Sequence, residues 1–141
     1  MTISRLILAG AALAMGASPA LAARVTLHAR LTGQAEAPGP GKNSASGSAT
    51  VRVNTASRQV CYTLSVRNVP NVTMAHIHRG AGGDSGPPVV TLRTPLGGAS
   101  HGCTTTSRAI ARDLVSSPRG FYVNVHSKAF PDGAIRGQLM R

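Results

Sequence analysis

Apolar side chains recur at every second position along most of this chain from residue 25 onward. Val25, Leu27, Ala29 and Leu31 share one side of "RVTLHARLTG", Val60, Tyr62, Leu64 and Val66 one side of "QVCYTLSVRNV", and Phe121, Val123 and Val125 one side of "FYVNVHS". A strand turns successive side chains to opposite faces, so this period makes sheets with one buried face; a helix would scatter the same residues around its axis. "SATVRVN", "TMAHIHRG", "VVTLR", "SHGCTTTS" and "AIRGQLM" complete the set. Turn-forming stretches such as "APGPGKNSASG", "TASR", "GAGGDSGPP" and "KAFPDG" separate the segments. Only "RAIARDLVSS" reads as a helix, with Ile110 and Leu114 four apart and Pro118 and Gly120 as its stop. The expected fold class is all-β, an antiparallel sandwich or barrel of about eight strands with one short helix.

The first residues follow a different logic. Arg5 precedes an apolar run from Leu6 to Gly16, followed by Pro19 and the small-x-small triplet Ala20-Leu21-Ala22. That is the layout of a secretory signal peptide over 1–22, and the run is well short of the ~20 residues that span a bilayer. Cleavage after Ala22 leaves 23–141 as one domain with no transmembrane segment, and the expected location is periplasmic or secreted. Cys61 and Cys103 are the two cysteines, and in an oxidising compartment they are expected to form one disulfide. Closing a loop of about 43 residues stabilises the fold by roughly 4 kcal/mol in the chain-entropy picture.

Charge limits the partners. Without Arg5 the chain carries 14 Lys and Arg against the acids Glu36, Asp84, Asp132 and Asp113, a net charge near +10. That sign favours anionic surface polymers. The basic residues stand singly from Arg24 to Arg141, with few aromatics among them, so a solvated basic surface is the expectation and nucleic acid is not an expected partner. The acids are too dispersed for a carboxylate pair, and no nucleophile elbow or phosphate-cradling loop is present, so no catalytic residue is assigned.

The chemistry concentrates in the histidines. In "MAHIHRG" Ala75 and Ile77 face one way, His76 and His78 the other; in "FYVNVHS" the polar set is Tyr122, Asn124 and His126; in "AIRGQLM" Arg136 and Gln138 oppose Ile135 and Leu139. If these strands are neighbours, His76, His78 and His126 meet on one polar face with Tyr122, Asn124, Arg136 and Gln138 beside them. Three neutral imidazoles suit copper or zinc. The same histidines could instead hydrogen-bond loop backbone and hold "GAGGDSGPP" in place. His28 and His101 are expected at ordinary polar positions.

The phrases "AHIHRGAGGDSGPPVVTL" and "GFYVNVHSKAFPDGAIRGQL" resemble the CHRD domain, named from the vertebrate antagonist chordin and found in secreted bacterial proteins; the likeness runs over about 26–140. The resemblance implies an all-β, secreted or periplasmic domain without established catalysis. The family's last motif usually carries an acid where this chain has Ala134, which removes a possible partner for Arg136. A looser resemblance, limited to His76-Ile77-His78, is to the copper-binding strand of copper-zinc superoxide dismutases. The expected function is an exported, non-enzymatic binding protein of the cell envelope. Its ligand would be an envelope or extracellular one, or a metal ion held by surface histidines; the alternative is a copper-dependent redox enzyme resembling superoxide dismutase.

Overall fold

A computed structural model describes residues 24–141; the expected signal peptide lies outside the described residues. The strands are β1 (Arg24–Thr32), β2 (Ser46–Asn54), β3 (Gln59–Arg67), β4 (Val72–Arg79), β5 (Pro88–Leu92), β6 (Ala99–Thr105), β7 (Phe121–Ser127) and β8 (Ile135–Gln138), with one α-helix, α1 (Arg108–Ser116). All strand pairs are antiparallel, in the order β5-β4-β7-β8-β1-β2-β3-β6. The sheet curls almost closed into a barrel. Its two edges approach where the Tyr62 hydroxyl on β3 accepts from the Arg93 amide just after β5 at 2.7 Å. The expected eight-stranded, one-helix architecture is the one observed.

The alternation sets the interior. Leu27, Leu31, Val51, Val60, Ile77, Val123 and Ile135 are fully buried and line one continuous core. At ~25 cal/mol per Å² of apolar surface removed from water, each such side chain favours folding by about 1.5–3 kcal/mol. α1 starts at Ser107, whose hydroxyl accepts from the Ile110 amide at 3.1 Å. It lays Ala111 and Leu114 on the core while Ile110 is only half-buried, so the buried contact is one position further along than the Ile110–Leu114 spacing suggests.

Cys61 and Cys103 are directly opposed on β3 and the edge strand β6, and they are bonded. The bridge fastens the last strand of the sheet to its neighbour. It also fits an oxidising compartment. No helix among the described residues is long and apolar enough to cross a membrane.

Candidate metal centre

β4, β7 and β8 are neighbours, so the polar residues of three sequence segments come into register. His78 pairs with Tyr122 and Tyr122 with Gln138; His76 pairs with Asn124 and Asn124 with Arg136; His126 lies one step along β7, opposite Met74. Their alternate neighbours point into the core, leaving this set on the outer side of the barrel wall.

That outer side is not a free surface, which corrects the expectation of surface histidines. β7 is buried along its whole length, and Arg136 is 1%, Asn124 3%, His126 6% and His78 8% exposed. Three connections fold over the wall: 33–45, 80–87 and 128–134. Arg136 donates to the carbonyls of Asp84 and Ala81, both at 2.7 Å, and to Gln138 Oε1 at 3.0 Å, with its guanidinium 3.4 Å over the Tyr122 ring. Gln138 donates to the carbonyls of Gly80 and Arg119 at 2.9 and 2.8 Å. The Tyr122 hydroxyl accepts from the Gly86 amide at 3.2 Å. These three side chains bind loop backbone. Closure over 80–87 also requires glycine at 86, because a Cβ there would strike the Arg79 carbonyl.

Under this cover the three imidazoles converge. His76 Nδ1 lies 3.3 Å from His126 Nε2, and one nitrogen from each of His76, His78 and His126 falls within 4.8 Å of the others. Backbone carbonyls fix two tautomers. His78 Nδ1 is 2.8 Å from the Gly86 carbonyl and His126 Nδ1 is 2.9 Å from that of Pro131. A carbonyl only accepts, so each Nδ1 carries the hydrogen and each Nε2 keeps its lone pair. Without an ion, His126 Nε2 then accepts from His76 Nδ1–H; to ligate through Nδ1, His76 must carry its hydrogen on Nε2 instead. His78 Nε2 is buried with no partner. A metal-ligating imidazole has this arrangement, one nitrogen donating to a carbonyl and the other free for the ion.

The spacing suits a small ion. With metal–nitrogen bonds of ~2.0–2.1 Å, the nitrogens of a tetrahedral site lie roughly 3.3–3.4 Å apart. The His76–His126 pair already has that separation; the widest pair must close by at most about 1.5 Å, within reach of ring rotation. Burial lowers the affinity of His76 for a proton, and the neighbouring His126 and His78 lower it further. For His78 burial again dominates; the Gly86 hydrogen bond works the other way, and His126 and Arg136 add to the lowering. The neutral, metal-ready form is therefore favoured.

A fourth group was not anticipated. Glu36, in the 33–45 connection, is 9% exposed and its Oε2 accepts from Asn124 Nδ2 at 3.3 Å. Gly133, at φ +148°, allows this approach, since a Cβ there would fall on the Glu36 carboxylate. Burial pushes the Glu36 carboxyl up to about 7, against the opposing pull of Arg136 and of the Asn124 hydrogen bond. Glu36 Oε1 and Asn124 Oδ1 are both buried without partners. Protonation of Glu36 supplies an O–H donor to the pair, which two bare acceptors lack. Glu36 also gives Arg136 an acidic neighbour, so Ala134 does not leave that arginine without one. Sequence alone offered only one cue, an acid isolated in a Pro/Gly-rich loop.

His28 and His101 lie outside the cluster. Both are exposed on the far side of the barrel, where His28 Nδ1 is 3.4 Å from the Thr50 hydroxyl. Among the described residues, His76, His78 and His126 form the group of histidine, cysteine and acidic side chains able to hold a metal ion.

A family model for the CHRD domain matches residues 27–139. No curated protein and no solved structure matches the chain. The matched span includes every strand from β2 to β8 and all the residues of the histidine cluster and its cover. The chain belongs to the CHRD domain family.

Proposed function

We propose that this protein is an exported, non-enzymatic binding protein of the cell envelope that holds one zinc or copper ion at His76, His78 and His126. The observation that carries the reading is the pair of backbone bonds from His78 Nδ1 and His126 Nδ1, which leave both Nε2 lone pairs within the cluster, that of His78 with no partner and that of His126 facing only His76. The same bonds also tie the covering loops to the sheet, so the loop-holding role of the histidines and the metal-holding role are compatible. Three imidazoles are borderline donors, which suits zinc and copper better than calcium or magnesium. Arg136 opposes a bound cation, and an ionised Glu36 offsets that charge. A protein metal site with three ligands leaves one position for water or another ligand. The copper redox alternative uses the same nitrogens, and a superoxide assay on copper-loaded protein separates it from simple binding.

Titration calorimetry with Zn(II) and Cu(II) tests the reading. The wild-type chain is expected to bind one ion, and His78→Gln or His126→Gln to weaken binding at least a hundredfold while the protein stays folded by circular dichroism. Unchanged affinity in both folded variants would overturn the assignment.

A further inference from the structure

The basic residues that stand singly in the sequence do not stand singly on the barrel. Strands β1, β2, β3 and β6 form the half of the barrel away from the histidines, and among the described residues no connection covers their outer side. Arg24, Arg30, Arg52 and Arg67 all project outward there and are exposed. These four strands contain no acidic residue. Arg52 pairs with Thr26 and Arg24 with Asn54, which makes Arg24 and Arg52 diagonal neighbours, roughly 7–8 Å apart. Arg30 and Arg67 lie toward the other end, Arg30 about 20 Å along β1 from Arg24 by strand rise and Arg67 level with Thr32, two residues further.

The acids sit elsewhere. Glu36, Asp84 and Asp132 belong to the connections around the histidine wall. Asp113 on α1 pairs with Arg79 at 2.7 Å, the ion pair found among the described residues. The barrel is thus electrically lopsided, with one wall carrying unopposed guanidinium groups.

Between the two arginine ends lies a shallow depression of about 310 Å³, bordered by Ser48, Thr50, Thr63, Ser65 and His101. Its rim is made mainly of hydroxyls, which both donate and accept. Among the described residues, the large exposed apolar side chains Met74 and Leu96 lie off these four strands, and Met140, bridged to His28, is the one at the margin of the wall, which is otherwise polar. Guanidinium forks match carboxylates in two-point contacts, and a hydroxyl row matches sugar hydroxyls.

We propose that the outer wall of β1, β2, β3 and β6 is a docking surface for an acidic polysaccharide, with Arg24, Arg30, Arg52 and Arg67 holding its carboxylates and the Ser/Thr row its hydroxyls. The surface is distinct from the histidine centre and does not depend on metal.

The test uses fluorescently labelled polygalacturonate oligomers and the mature chain at 0.05 and 0.15 M salt. Two triple variants remove equal charge: Arg30→Gln/Arg52→Gln/Arg67→Gln on the wall, and Arg108→Gln/Arg112→Gln/Arg119→Gln on and after α1. All six side chains are exposed, and thermal melts verify that both variants fold. Binding is expected to weaken with salt, to fall at least tenfold in the wall variant, and to stay within about twofold of wild type in the control. Equal losses in the two variants would show that net charge alone is at work and overturn the proposal. Absence of binding, or tighter association with phosphatidylglycerol vesicles than with polygalacturonate, would overturn it as well.

Discussion

Glu36 and the clustered histidines respond to pH in opposite senses. The Glu36 carboxyl titrates near 7 in the fold against about 4.5 when solvated, so between those values the folded chain holds the extra proton. Its burial cost is full above pH 7 and fades as pH falls toward 4.5. Glu36→Gln removes the charge and keeps an N–H donor for Asn124 Oδ1. It is expected to raise stability at pH 8 by roughly 1–3 kcal/mol and to match wild type near pH 4.5–5 in thermal melts. A lower melting temperature at pH 8 would mean that the attraction to Arg136 outweighs burial. For His76 and His78 the folded value lies below 6.5. The unfolded chain therefore takes those protons first, and their contribution to stability is present above pH 6.5 and lost as pH falls below it. Metal binding competes with the same protons. The sequence alone suggests weakening through about pH 6.5, the ordinary histidine value. Burial shifts this, and half-release of zinc in a pH titration of the loaded protein is expected below 6.5.

At the scale of elements, the 80–87 connection does the most for the site, and it was the least readable part. Its role depends on backbone carbonyls of Gly80, Ala81, Asp84 and Gly86, which carry no signature in side-chain identity. The Gly/Pro composition marked a loop but not where it would fold. Gly86→Ala places a methyl group against the Arg79 carbonyl and should displace the loop, costing His78 its Nδ1 partner. The expected result is a loss of about 2 kcal/mol in denaturant unfolding, the range for backbone strain with a lost buried hydrogen bond, together with weaker zinc binding. The disulfide was legible because there are only two cysteines to pair. Its location on an edge strand was not, since that depends on sheet order. Reduction should lower stability by about 4 kcal/mol, and hydrogen exchange should show β6 losing protection before the central strands.

For the whole molecule, the alternation of Leu27, Val60, Val123 and their neighbours was enough to give an antiparallel barrel, because period two leaves few other ways to bury those residues. The same parity placed His76, His78 and His126 on one kind of face. It could not say that β4, β7 and β8 are adjacent, that loops bury that face, or that Glu36 meets Asn124 across 88 residues of sequence. Register is a property of the assembled sheet, and it likewise gathers separately placed arginines on the opposite wall. The central claim is that the covered histidine wall is a metal centre. X-ray absorption spectroscopy on the zinc-loaded chain tests it most directly. The account predicts three imidazole nitrogens at ~2.0–2.1 Å, falling to two in His126→Gln. A zinc shell made of oxygen alone, or one unchanged by His126→Gln, would contradict it.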